Sequence, residues 1–319
     1  MKRLLAALVF TLVSIASFGQ GNRAMEVDDI PQAFIDGVWA IPILYEPELD
    51  DLFSFDNAPI QKAVLKTYCL MAKSILGLKV NDADIESNLS QIDEHMGSDN
   101  AVYGLMLTVK ASAHDEDIKI LKQAEQIIME SAGEYSWEYA YVLFCLSCAT
   151  MDAEKYGDMK LSIDYADKGI AILEDGYQDS WLYKVTLIAR GFARFMDMDE
   201  ESLDDVVKGF NLLNDPEDER NHGPYCLTGI NVAAIYTVLD MHEEALALLS
   251  DVEQYFIELD CTASYAYYSL SKTAVYAYAK IKDKAQAKNY YRKAEKACLE
   301  RYGKNSKEYK QLKPYRRML

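Results

Sequence analysis

The chain has 319 residues, half of them apolar and 26% charged, with a formal net charge of −18 at pH 7. That apolar fraction is enough to bury a long continuous core, and 15 Gly and 7 Pro are too few for extended disorder or a collagen-like chain. So acidic a chain repels nucleic acid, which is excluded as an expected partner.

Lys2-Arg3 precede an apolar run from Leu4 to Ala16, and Ser17 and Gly19 put small residues three and one before a cut ahead of Gln20. Residues 1–19 therefore read as a secretory signal peptide, with the mature chain periplasmic or secreted after cleavage near Gly19. An uncleaved anchor is the rival reading. No Cys stands directly after the cut, which argues against a lipid-anchored protein, and no transmembrane span is expected beyond it.

Residues 20–56 show little repeat character and are expected to form an N-terminal capping segment. Phe34, Val38, Trp39, Ile41 and Ile43 make this stretch apolar enough to fold back on the helices beyond it. Residues 57–132 read as degenerate helical hairpins, with helices over 58–76, 82–96, 102–113 and 118–129.

From residue 133 a period emerges. Tyr183, Tyr225, Tyr267 and Tyr309 stand 42 residues apart, each three residues after a polar residue: Ser180, His222, Ser264 and Ser306. Ser136-Trp137-Glu138-Tyr139 joins the series with a step of 44 to Tyr183. A fixed period in this range indicates stacked helical hairpins, each burying its apolar face on the next. Residues 133–305 are read as these repeats. Leu161 to Leu173 suits a second helix through Ser162, Tyr165, Ala166 and Gly169. Leu203 to Leu213 suits one less well, because Phe210 stands where a small residue is expected. Residues 306–319, interrupted by Pro314, read as a C-terminal capping helix.

The two clearest copies carry Ala233, Tyr236, Ala245, Leu249 and Val252, then Val275, Tyr278, Ala287, Tyr291 and Ala294. This pattern resembles the tetratricopeptide repeat family. The long period and Gly303-Lys304-Asn305-Ser306-Lys307-Glu308-Tyr309, with a looser Gly133 to Tyr139, resemble its kinesin-light-chain-like type. The resemblance implies an all-α fold, a right-handed superhelical solenoid of about five to six antiparallel hairpins. It also implies a concave channel lined by first helices. By register that channel takes Tyr141, Phe144, Cys148 and Met151, then Val185, Ile188, Phe192 and Phe195. Leu227, Ile230, Asn231, Ala234 and Thr237 come next, then Ser269, Lys272, Tyr276 and Ala279. The family's carboxylate clamp would find only Asn231 and Lys272. Its Asn ladder would find Asn231 alone, with Cys145, Ala189 and Thr273 at the sister positions. The channel suits an amphipathic helix, an extended apolar segment or the chain's own N-terminal stretch. It is equally consistent with residues simply buried between hairpins.

Charge is uneven. Residues 268–319 hold 15 Lys+Arg and 4 Asp+Glu, a local +11, against −29 elsewhere. The basic end suits an acidic partner, an anionic membrane surface, the acidic end of another copy, or simply a solvated last hairpin. Of the six Cys, Cys145 and Cys148 have redox-motif spacing but lie in an apolar helical stretch, where small buried residues explain them. A bridge between two of Cys226, Cys261 and Cys298 is compatible with the register.

No chemistry stands out. The four His have no metalloprotease spacing, and no Gly-rich phosphate loop or Gly-x-Ser-x-Gly elbow occurs. Asp197, Asp199 and Glu201 alternate as in a calcium loop, but Ser202 stands where the required Gly belongs. The expectation is an exported, non-enzymatic scaffold without cofactor or metal, binding a peptide or protein segment. The alternative is an envelope glycan- or small-ligand-binding protein using Tyr and the junction residues Trp137 and Trp181.

Overall fold

A computed structural model of the chain describes residues 30–35, 58–75, 79–114, 117–151, 157–198, 202–214, 222–258, 262 and 264–319. Residues 1–19, read from sequence as a signal peptide, and Val38, Trp39, Ile41, Ile43 and Cys261 lie outside the described residues. Every regular element among the described residues is a helix. They divide into two compact units, one of residues up to 74 with 80–223 and one of 75–79 with 224–319.

The first unit holds α1 (Ile30–Ile35), α2 (Ala58–Ile75) as far as Ser74, α3 (Asp82–Met96), α4 (Ala101–Ala113), α5 (Ile118–Ala132), α6 (Trp137–Thr150), α7 (Met159–Leu173), α8 (Trp181–Met196) and α9 (Ser202–Leu213). From α3 to α9 each helix packs on the next, and α6 also packs on both α4 and α8. These contacts put α4, α6 and α8 in one layer. The second unit takes α10 (His222–Val238) from Pro224 on, then α11 (His242–Glu258), α12 (Tyr265–Lys280), α13 (Lys284–Arg301), α14 (Lys307–Gln311) and α15 (Lys313–Arg316). Here α12 packs on α11 and α13.

The recurring polar residue is a helix cap. Ser136, Ser180, Ser264 and Ser306 each accept the backbone N–H of the Tyr three residues on, at 3.1, 3.2, 3.0 and 3.1 Å. Each thereby satisfies one of the N–H groups that a helix start leaves unpaired. The same unit occurs earlier at Gly97 to Tyr103, where Asn100 caps Tyr103 N at 3.0 Å. Gly97, Gly133 and Gly303 adopt φ of 82°, 92° and 79°, the left-handed turn that lets the chain leave one helix and enter the next. The second helices use a different cap: Asp117, Asp158 and Asp283 accept from Lys119, Leu161 and Gln286 N.

The turns inside the hairpins repeat as well. Met198, Asp240 and Lys282 have φ of 64°, 61° and 63°, again at steps of 42. So do some side-chain bonds. The Tyr267 hydroxyl donates to Glu253 at 2.7 Å, and that of Tyr309, one period on, donates to Glu295 at 3.0 Å.

Small residues set the helix spacing. Ser147 and Ser162 meet at 3.0 Å between α6 and α7. A Cβ on Gly191 would lie 2.7 Å from the Ser202 carbonyl oxygen, and one on Gly209 would lie 2.6 Å from that of Lys184. Gly209, one position before the expected slot, is therefore the small residue of α9, and Phe210 is buried beside it. The C-terminal cap forms as two short helices. Tyr268 of α12 donates to the Glu308 carbonyl at 2.9 Å and Leu312 is 1% exposed, so the cap seals the last hairpin.

Candidate functional site

In the first unit the channel register leads to an aromatic cluster. Ser136 and Ser180 start α6 and α8, so Trp137 and Trp181 occupy equivalent first positions in two neighbouring first helices. Tyr141 lies one turn after Trp137, and Tyr68 reaches in from α2. Within the ring they form lies Phe34 of α1, 1% exposed. Its ring centroid is 5.4 Å from Tyr68, 6.0 Å from Trp137, 6.2 Å from Tyr141 and 5.7 Å from Trp181. The Tyr141 and Trp181 contacts are edge-on, a favoured aromatic geometry. The Trp181 indole N–H donates to the Phe34 carbonyl at 2.7 Å. That carbonyl lies in the last turn of the short helix α1. Ile35, also 1% exposed, is buried next to it.

The two phenols of the seat are neutral at pH 7. Burial, with the nearby Glu138 carboxylate, pushes the Tyr68 phenol far above its usual range. Burial does the same for Tyr141. Both therefore remain neutral hydroxyls.

Of the register-assigned residues in this unit, Tyr141 and Phe144 come together around Trp181, with Phe144 6.5 Å from each ring. Phe144, Cys148 and Phe192 are half-buried, whereas Tyr141, Val185 and Ile188 are buried. Ile188 packs where a Cβ on Gly209 would come within 2.7 Å of it, so this side chain serves the α8–α9 hairpin contact. Register does not assign Tyr68, Trp137 or Trp181 to the channel. The sequence signal that marks two of them is Ser-Trp at 136–137 and 180–181; the later copies carry Tyr265 and Lys307 at that first helical position.

In the second unit Ile230 is buried, Leu227 half-buried and Asn231 exposed. The Lys272 ammonium lies 4.7 Å from the Tyr268 ring and 5.9 Å from Tyr315. Burial lowers its pKa against the opposing pull of Cys298 and Glu308. Tyr276, half-buried, lies under Lys280 at 5.5 Å. These residues mark an aromatic and basic end.

Two polar networks are structural. Arg190 of α8 binds Asp205 of α9 through Nε and Nη2, at 2.8 and 2.6 Å, and Asp167 of α7 at 2.7 Å. It ties three consecutive helices. Glu253 accepts from Tyr267, Tyr290 and Lys293, each at 2.7 Å. Burial raises the Glu253 pKa, but these donors outweigh it and leave the carboxyl below its usual range.

Among the described residues no group of three or more His, Cys, Asp or Glu is arranged to hold a metal ion. The Asp199 and Glu201 positions of the candidate calcium loop lie outside them. No disulfide joins any two of Cys69, Cys145, Cys148, Cys226 and Cys298, so Cys226 and Cys298 are not bridged to one another. Trp137 and Trp181 are buried, at 7% and 1% exposure, and present no open indole face for stacking a sugar. No helix among the described residues is long and apolar enough to cross a membrane. No known family model matches the chain, and comparison with curated proteins finds no match.

Proposed function

We propose that this chain is an exported, non-enzymatic scaffold of the tetratricopeptide type that binds a short segment of another protein along its first helices. On this reading the hairpins form a right-handed superhelix of about five or six units. The alternating Ser/Asn and Asp caps and the left-handed turns repeating at 42 residues support a tandem array. The observation that carries the binding function is the Phe34 seat. A first-helix layer that already holds a six-residue apolar helix by its aromatic side chain and a backbone carbonyl has the equipment to hold another.

The test is affinity capture from the native envelope with the tagged mature chain, wild type and the Phe144→Ala/Phe192→Ala double variant. Phe144 borders the seat through Trp181, Phe192 lies farther along the same first helix as Trp181, and both are half-buried, so the fold should tolerate their loss. A defined protein recovered with wild type and lost with the double variant supports the reading. Equal recovery by both, or none by either, contradicts it.

A further inference from the structure

The seat has the properties of a ligand site more than those of a closed core. Its occupant is a six-residue helix, too short to be stable by itself. Residues 36–57 separate that helix in sequence from α2. Four aromatic rings from three different helices surround one side chain of that occupant. One of them, Trp181, also bonds its backbone. The ring cluster has its own cohesion without Phe34: Tyr68 lies 6.3 Å from Trp137, and Trp181 lies 6.2 Å from Tyr141.

Resting on the scaffold reading above, we infer that this seat is a peptide site selective for an aromatic residue followed by a branched aliphatic one at the end of a short helical turn, and that Phe34-Ile35 is its resident occupant. The chemistry comes from the contacts. The ring cage selects a flat apolar side chain, and Ile35 fills the adjoining buried position. The indole N–H takes a backbone carbonyl, which in the resident occupant lies in the last turn of a short helix. The groups packed against the Phe34 side chain are aromatic rings, so the ligand is apolar at this dipeptide. An external segment of the same chemistry must compete with Phe34-Ile35 in the same chain. A tethered occupant acts at millimolar effective concentration, which lowers the apparent affinity for a free competitor by about a hundredfold or more.

The experiment vacates the seat and refills it in trans. The mature chain is prepared as wild type, Phe34→Ala and Phe34→Leu, with helix content checked by circular dichroism. Each is titrated with a synthetic peptide of residues 28–37, followed by tryptophan emission and calorimetry. A peptide carrying Ala in place of Phe34 is the control. The expected order of affinity is Phe34→Ala tightest, Phe34→Leu intermediate and wild type weakest by about a hundredfold, with the control peptide silent. The Leu variant keeps most of the packing and answers the question even where the Ala variant loses structure. Absence of peptide binding to the folded variants, or equal binding by the control peptide, overturns the inference and makes Phe34 an ordinary part of the core. Peptide binding in trans alongside failed envelope capture would uphold the site while removing the external partner, so the two readings fail separately.

Discussion

The Trp181 indole N–H donates to the carbonyl oxygen of Phe34 at 2.7 Å, joining residues 147 positions apart. Around that bond the packing of α1 on α6 and α8 is organised. Trp181→Phe would keep an aromatic ring and remove that bond, at a cost of about 1 kcal/mol. Phe34→Ala would remove a fully buried ring, at about 3–5 kcal/mol where the site cannot collapse. Once α1 has left the seat, however, a second lesion there has little more to remove. Urea unfolding of both single variants and the double variant should show the double costing less than the sum. Full additivity would mean that α1 does not detach as a unit.

The linker caps should behave as interchangeable parts. Ser264→Ala removes the acceptor for Tyr267 N and is expected to cost about 1 kcal/mol. Ser264→Asn should be nearly neutral, because Asn100 already performs this role before Tyr103. Thermal melts of the two variants make the comparison, and an Asn variant as damaged as the Ala variant would contradict it.

Glu253 gives the second unit a pH dependence of definite sign. Its donors hold the folded-state pKa below that of the unfolded chain. Its contribution is therefore fully present above the unfolded carboxylate value and is lost as pH falls through the lowered folded value. Glu253→Gln should cost about 1–3 kcal/mol at pH 7. The gap to wild type should close as pH drops below the ordinary carboxylate range. Denaturant midpoints measured from pH 7 to pH 3 test both statements.

Backbone geometry predicts opposite signs at two positions. Lys282 is exposed and sits at φ 63°, where a side chain is strained. Lys282→Gly should leave the protein unchanged or more stable by up to about 1 kcal/mol. Gly209→Ala should destabilise by about 1–3 kcal/mol, since the new Cβ would press on the Lys184 carbonyl oxygen at 2.6 Å. Melting temperatures of the pair give the comparison.

Local features are the readable part of this chain. Ser-x-x-Tyr at 136, 180, 264 and 306 marks helix starts because a cap and its N–H partner are three residues apart in any sequence. The earlier copy at Asn100–Tyr103 is hidden from a search by period, because its step to Tyr139 is 36 rather than 42 and Asn replaces Ser. The small residue of α9 is Gly209 rather than position 210, since helical period alone leaves neighbouring positions nearly equivalent. The apolar stretch around Phe34 is recognisably able to fold back. Which residue docks, and that Tyr68 of α2 meets Trp137 of α6, depends on packing between distant segments that periodicity does not encode. Register likewise puts Ile188 in the channel, whereas Gly209 draws it into the hairpin contact.

The most direct test of the account is partner recovery from the native envelope by Phe34→Ala beside wild type and the Phe144→Ala/Phe192→Ala variant. A vacated seat should recover more of the same protein than wild type, and the double variant less. Equal amounts with all three would contradict the claim that the first helices around Trp181 form the binding face.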